Sequence, residues 1–462
     1  MLAPIPGPPL LTAAAMRAAE AAAMAGGVSA TTLMDRAAAA ATAAIARLWT
    51  PRAVLVLCGP GNNGGDGFGI AAALRARGWP VTVAADALPT SDAGAAMLAR
   101  WGDDIVPLAA AAPAPLVIDA LFGTGLTRQL AEAAQAALDR VRGRGQVAAV
   151  DIASGVDADT GRALGRPLAA DLTVTFAAAK PGHLLGAGGG LTGRLVVADI
   201  GVAMPADTAW LVAPPRLVVP GPDTHKYARG HVLVVEGAGH HCGATRLTAL
   251  AALRAGAGLV TLAGPGLGAP ADAVMRRTDK QGRALLDDRR TGAVAIGPGL
   301  PDKDRGRDWL AAVLASGLAL VLDAGALALA DPDQLAGPNR VLTPHDGEFS
   351  KLFGPVGEDR IAATSAAAAR SGCVVLLKGS ASVIAAPDGR VAINAHAAPW
   401  LATAGSGDVL AGIIAALLAQ GLAAFDAASI GAWLHGDAGV RVGPGLIADD
   451  LAAVLPAVLA GL

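Results

Sequence analysis

Two stretches that set an aspartate among glycines, CGPGNNGGDGFG at 58–69 and TAGSGDVLAG at 403–412, limit what this chain can fold into more than any other feature. Each follows an apolar run and opens an Ala-rich stretch of helical character. Doubly wound α/β domains place phosphate and charged-ligand chemistry at such strand–turn–helix junctions. One of them is a weak signal. Two, far apart in 462 residues, imply two α/β domains joined end to end, each with its own site. The length suffices for two hydrophobic cores.

The pattern between them agrees. Residues 11–49 read as Ala-rich helices broken at Gly26-Gly27. Short β-branched runs at 53–57, 80–84, 116–119 and 147–151 then alternate with helical stretches, as in a parallel sheet covered on both faces. A second cycle passes through 231–235, 258–262, 293–296, 318–323, 374–377 and 382–385, and closes on helical stretches at 407–420 and 424–441. Prolines crowd APPRLVVPGPDTHKY at 213–227, so the boundary is expected near 215–222, with domains at 1–214 and 222–462.

Charged residues make up 16% of the chain and the formal charge is −2. No extended basic block is present, so no nucleic-acid partner is expected. Cys58, Cys242 and Cys373 are too few and too widely spaced for a disulfide framework or a metal knuckle. A reducing, cytoplasmic setting is therefore expected. The apolar opening has no basic residue ahead of it and is interrupted by Arg17 and Glu20, unlike a signal peptide. The greasiest windows, 311–330 and 409–425, contain Asp323 and Gln420 and read as buried elements, not membrane spans.

Gly59, Gly61 and Gly64, with Asp86 some twenty residues on, match a dinucleotide fingerprint, and an NAD-dependent oxidoreductase is one reading. Asn62, Asn63 and Asp66 argue for other chemistry. Glycines on both sides free the backbone to form an anion-binding nest. An aspartate there would repel phosphate unless it transfers protons or binds a hard cation. Asp119 and Asp151, the latter followed by Ser154, end two further strands at the same sheet edge. In the second stretch, Gly405 and Gly407 precede Asp408 at a helix start, where N–H groups can hold phosphoryl charge and the carboxylate can take a hydroxyl proton.

The first half resembles the NAD(P)H-hydrate epimerases, whose GxxNNGGDG, D-A-x-x-G-T-G and D-I-P-S-G segments read here as Gly59–Gly67, Asp119–Gly125 and Asp151–Gly155. Ala153 stands where the family usually has Pro. TFAAAKPGH at 175–183 and LTAAAMRAAE also match, so the likeness spans about 11–212. It implies a Rossmann-like sheet and substrate contacts from Asn62, Asn63, Gly64, Gly65 and Asp66, from Gly123, Thr124, Gly125, Leu126, Thr127, Arg128 and Gln129, and from Asp151. It also implies a K+ held by Asn63, Asp119 and Ser154. Asp66 and Asp151 are the candidate acid/base pair, with their roles open.

The second half resembles the ribokinase-like, ADP-dependent NAD(P)H-hydrate dehydratases through HKYARGHVLVVEGA at 225–238, CGATRLTALAALRAGAGLVTLA at 242–263, AIGPGL at 295–300, LTPHDGEFSKLFG at 342–354 and LKGSASVIAAPDG at 377–389. The likeness covers about 222–462. It implies hydrate contacts from Ala244, Gly299, His345 and Asp408, and nucleotide contacts from Lys378, Gly379, Ser380, Ala381, Ser382 and Gly407. Two roles stand for His345, ligand contact or loop cap, and Lys378 is either a ligand or a solvated charge.

Together the resemblances imply two three-layer αβα domains that repair NADH or NADPH hydrated across the nicotinamide 5,6 bond (NADHX and NADPHX). One would interconvert the R and S epimers. The other would dehydrate the S form, with ADP as phosphoryl donor, Mg2+ beside the nucleotide and Asp408 as catalytic base. A homo-oligomer is expected. The alternatives are a ribokinase-like small-molecule kinase fused to a dinucleotide-binding module, the oxidoreductase, and a non-enzymatic first half.

Overall fold

A computed structural model describes all residues except 1, 207, 238–241, 267, 301–303 and 338. The last residue of the 225–238 motif thus lies outside the described residues. The chain forms two compact units. One is Pro9–Thr208; the other is Ala209–Leu462 together with Met1–Pro8. The division therefore falls earlier than the proline-rich segment. The first residues join the second unit because Leu2–Ala3 pairs antiparallel with Arg216–Leu217.

The N-terminal unit is built on seven parallel strands. In spatial order they are Ile105–Val106, Val81–Ala84, Val54–Cys58, Leu116–Ala120, Gln146–Val150, Leu172–Phe176 and Arg194–Ala198. The order reverses between Val54–Cys58 and Leu116–Ala120, and ligands of open α/β sheets gather at such a point. The strand-forming runs predicted from sequence are there. Leu172–Phe176 and Arg194–Ala198 were not predicted: the first is buried on both faces although every second residue of LTVTF at its centre is threonine. Helices Ala13–Ala25 and Ala30–Leu48 are broken at Gly26-Gly27 as expected, each started by a hydroxyl cap, Thr12 or Ser29.

The C-terminal unit has a larger sheet. Its central strands Val274–Arg277, Leu259–Ala263, His231–Val235, Ala293–Ile296, Ala319–Leu322, Arg340–Leu342 and Val374–Leu377 are parallel neighbours in that order. Ser382–Ala385 and Val391–Asn394 continue it antiparallel. Helix Ser406–Ala419 is almost wholly buried, and Gly412 lets it lie directly against Thr248 of helix Cys242–Arg254, where a methyl would overlap the threonine carbonyl. Both units are three-layer α/β domains, as expected. No helix of the described residues is long and apolar enough to cross a membrane.

Candidate active sites

In the N-terminal unit, strand Val54–Cys58 delivers the chain to Gly59–Gly61, and helix Asn62–Ala76 begins at once. Asn62 to Asp66 thus occupy the first turns of a helix. The open nest expected from the glycines is absent, because none of the glycines at 59–69 has a positive φ. Packing explains them instead. A methyl on Gly64 would overlap the Gly59 carbonyl; on Gly65 it would lie 2.8 Å from Met34 Sδ; on Gly67, 2.7 Å from Ala120 Cβ. The glycines let this helix press onto the sheet and onto its neighbours Ala30–Leu48 and Asp92–Trp101.

Of the predicted site residues, Asn63, Gly123, Thr124 and Asp151 come together at one place, and Asp119 meets Ser154. Asn62 Oδ1 accepts a hydrogen bond from Ser91 Oγ at 2.7 Å. Both polar atoms of the Asn63 side chain are buried without a hydrogen-bond partner. Gly123 lies against two of the others: a methyl there would sit 2.6 Å from Asp151 Oδ2 and 3.0 Å from Asn63 Oδ1. Thr124 N–H donates to Asp151 Oδ2 at 2.9 Å. Leu126 is buried, whereas Gly125, Thr127, Arg128 and Gln129 are exposed. Asp119 is fully buried; its two oxygens accept from the hydroxyl and the N–H of Ser154 at 2.6 and 2.8 Å. Asp86, the fingerprint's acidic residue, is occupied instead: its Oδ1 accepts from Leu108 N–H at 2.8 Å.

Asp151 directly follows strand Gln146–Val150 in a left-handed conformation, φ 65°, which is uncommon for a residue with a side chain. Lys180 Nζ donates to Asp151 Oδ1 at 2.8 Å and to Thr175 Oγ1 at 2.7 Å. Thr175 Oγ1 donates to the same carboxylate at 3.0 Å, and His183 Nε2 lies 2.7 Å from the Asp151 carbonyl. Sequence reasoning quoted this segment but gave Lys180, Thr175 and His183 no role.

The two candidate acids are driven apart. Burial raises Asp66 well above the ordinary carboxylate range, and the charges of Asp151 and Glu20 push the same way. Burial alone would also raise Asp151, but the charge and hydrogen bond of Lys180 and the Thr124 N–H outweigh it and hold the group at about 2. Glu20, on helix Ala13–Ala25, is raised by burial and by Asp151. It is a third carboxyl facing the site, which sequence reasoning noted only as an interruption of the apolar opening.

In the C-terminal unit, Gly405 enters helix Ser406–Ala419 at φ 86°. A methyl on Gly407 would lie 3.2 Å from Lys378 Nζ, so the lysine stands at the helix N-terminus. Lys378 Nζ is 2.9 Å from Asp323 Oδ1 and 3.7 Å from Glu348 Oε2. It is therefore a partly buried, paired cation, not a solvated charge. Burial followed by Asp323 raises Asp408 to about 6, with Glu348 adding and Lys378 opposing.

Thr248 Oγ1 bonds both the Ala244 carbonyl and the Asp408 carbonyl at 3.0 Å, which brings those two predicted residues together. Gly299, at φ 63°, lies so close to Gly237 that a methyl on Gly237 would overlap the Gly299 carbonyl. His345 is exposed and caps helix Asp346–Phe353: its Nδ1 accepts from Gly347 N–H at 3.0 Å while Glu348 Oε2 accepts from His345 N–H at 2.9 Å. Gly379 and Ser380 are exposed, Ala381 is buried, and Ser382 opens its strand. Arg360 holds this turn, donating to the Lys378 carbonyl at 3.0 Å and pairing with Asp346. Asp323 and Arg360 were not predicted as site residues, since only tertiary contact brings them to this strand end.

Each unit is thus an α/β domain with a carboxyl raised above its ordinary range at its sheet's carboxyl edge. The NAD(P)H-hydrate dehydratase family model matches residues 232–453, and the model for the YjeF-related protein N-terminus matches 30–182. A bifunctional NAD(P)H-hydrate repair enzyme of Moorella thermoacetica is 38% identical over 89% of this chain and 88% of its own length. That of Escherichia coli is 36% identical over 89% and 84%. The crystal structure of an ADP/ATP-dependent NAD(P)H-hydrate dehydratase of Bacillus subtilis, co-crystallised with ATP/Mg2+, is 31% identical and covers 53% of this chain and 94% of its own, with a TM-score of 0.47. The chain belongs to the family of bifunctional NAD(P)H-hydrate repair enzymes.

Proposed function

We propose that the N-terminal unit epimerises the R and S hydrates of NADH and NADPH and that the C-terminal unit dehydrates the S form at the expense of ADP. The observation that carries this reading is the repeated arrangement of a raised aspartate beside a lysine-bound carboxylate, Asp66 with Asp151–Lys180 and Asp408 with Asp323–Lys378.

In the C-terminal unit Asp408 takes the proton of the C6 hydroxyl. The oxygen attacks the terminal phosphorus of ADP and AMP leaves. The ring nitrogen's electron pair then expels phosphate from C6, and loss of a C5 proton restores the 5,6 double bond. Lys378 and the N–H groups at Ser406–Asp408 stabilise charge on the transferring phosphoryl. Gly379, Ser380, Ala381, Ser382 and Gly407 contact the nucleotide. Ala244 and Gly299 contact the hydrate, as does His345, whose Nε2 stays available while Nδ1 caps its helix. Mg2+ comes with the phosphates and neutralises their charge; among the described residues no cluster of three or more His, Cys, Asp or Glu could hold a metal ion by itself.

In the N-terminal unit inversion at C6 requires a proton delivered to, and recovered from, the hemiaminal. Asp66, kept protonated, is the donor. Asp151, kept ionised, balances positive charge developing on C6 and the ring nitrogen. A split of this kind is how paired carboxyls divide acid and anion roles. A K+ fits beside them: Asn63 offers a buried, unpartnered amide, and Asp119 a buried carboxyl that accepts hydrogen bonds from Ser154 and from the Leu121 N–H. Asn63, Asp119 and Ser154 would hold the ion, which supplies a fixed positive charge for orienting the substrate. A cytoplasmic homo-oligomer completes the proposal; the buried thiols of Cys58 and Cys373, outside any disulfide, suit a reducing setting.

An equilibrated R/S mixture of NADHX with Mg2+ and ADP tests it. Fast and complete recovery of reduced-nicotinamide absorbance is expected. Rapid but partial recovery would remove the epimerase assignment. A stable phosphate ester without recovered NADH would replace dehydration with a plain kinase reaction.

A further inference from the structure

Lys180 is a buried lysine that no motif contact explains, and everything it touches leads to Asp151. Its side chain is 2% exposed and that of Asp151 12%. The ammonium spends its three hydrogens on Asp151 Oδ1, Thr175 Oγ1 and, at 3.3 Å, the Phe176 carbonyl. Its own backbone N–H donates to His183 Nδ1 at 2.9 Å, while the other ring nitrogen meets the Asp151 carbonyl. One short segment therefore grips both the side chain and the main chain of an aspartate held at φ 65°. The ion pair engages Oδ1 only. Oδ2 keeps the Thr124 N–H and faces the space before Gly123 that Asn63 also lines.

We propose that Lys180 is a positioning residue of the epimerase site: through its ion pair it fixes Asp151 as an anion with Oδ2 turned toward substrate, leaving Asp66 as the carboxyl that carries the proton. This rests on the epimerase reading of the N-terminal unit. The other charged groups facing Asp151 do not supply this function. Asp66 and Glu20 are acids, and the buried His183 is held near 4 and is neutral at ordinary pH. Arg17 acts on Glu20. With Lys180 gone, Asp151 would be a buried carboxylate among carboxyls, and one proton would be shared among them.

The test compares K180Q, D151N and D151N/K180Q in the full chain, following epimerisation of the R hydrate against pH. Dehydration of pure S hydrate by the same preparations reports on the other unit. K180Q is expected to lower epimerase kcat on the order of 100-fold with KM within about threefold. The acid limb of its pH profile should move up by more than about one unit. The double variant should be no more than about threefold worse than D151N, because Lys180 acts through Asp151. It also removes both members of the buried pair, so it carries the test if K180Q alone lowers the melting temperature of the unit.

Wild-type kcat and an unmoved acid limb in K180Q would overturn the proposal. So would a large further loss in the double variant. A wild-type chain that dehydrates the S hydrate but never epimerises would take down the epimerase reading itself, and this role with it.

Discussion

The two sites use similar parts in opposite ways. In the N-terminal unit the lysine is buried and committed to a single carboxylate, Asp151, so two aspartates separate into an anion and an acid. In the C-terminal unit Lys378 is more open and is shared between Asp323 and Glu348, while Asp408 stops at about 6. A base that must accept a proton near neutral pH and return to the ionised form needs such an intermediate value. A charge balance that must survive both halves of an epimerisation needs a locked anion. The glycines differ likewise. Those beside Asp66 sit inside a helix and serve close packing, whereas Gly405 gives the left-handed entry that starts the helix carrying Asp408.

The largest effect should separate the units outright. D408N is expected to lower ADP-dependent dehydration by roughly 1000-fold while leaving epimerisation of R hydrate within about twofold. A parallel loss of both activities, measured on the same preparation, would break the division of labour.

Next, D66N should cost roughly 100-fold in epimerisation and leave dehydration of pure S hydrate intact. An unchanged rate would move the proton-carrying role to Glu20, the remaining acid facing the site.

Packing comes third. G64A should destabilise the N-terminal unit by about 2 kcal/mol, since its methyl meets backbone that cannot give way, whereas G61A, with open space around it, should cost well under 1 kcal/mol. Equal denaturation midpoints for the two variants would restore the nest reading of the glycines.

The smallest effect is the pH dependence. The base form of Asp408 is lost as pH falls through about 6. Dehydratase kcat/KM should therefore drop by about tenfold per unit below that value and stay flat above it. An acid limb near 4 would mean that Lys378 dominates the environment of Asp408 more than Asp323 and burial do.

Much of this was legible in the chain. The strand runs and glycine-flanked aspartates are local patterns, and with the motif order they place Asp66, Asp119, Asp151 and Asp408 at strand ends or helix starts. The reading went astray where one local pattern serves two conformations. Gly-rich sequence permits a nest or a tightly packed helix, and only the neighbours Met34, Gly94 and Ala120 decide for the helix. His345 looked like a ligand or a cap, and the structure adds Glu348 as its reciprocal partner in capping.

The sequence by itself determined the two α/β cycles, the order of the motifs and the residues that can carry acid/base chemistry, because period and turn chemistry act over neighbours along the chain. Tertiary structure alone decided which aspartate is raised and which is held low. That choice depends on burial and on charges brought from distant segments: Lys180 to Asp151, Glu20 to Asp66, Asp323 and Lys378 to Asp408. Electrostatic energy follows distance through space and the dielectric between groups, and neither is written in sequence separation.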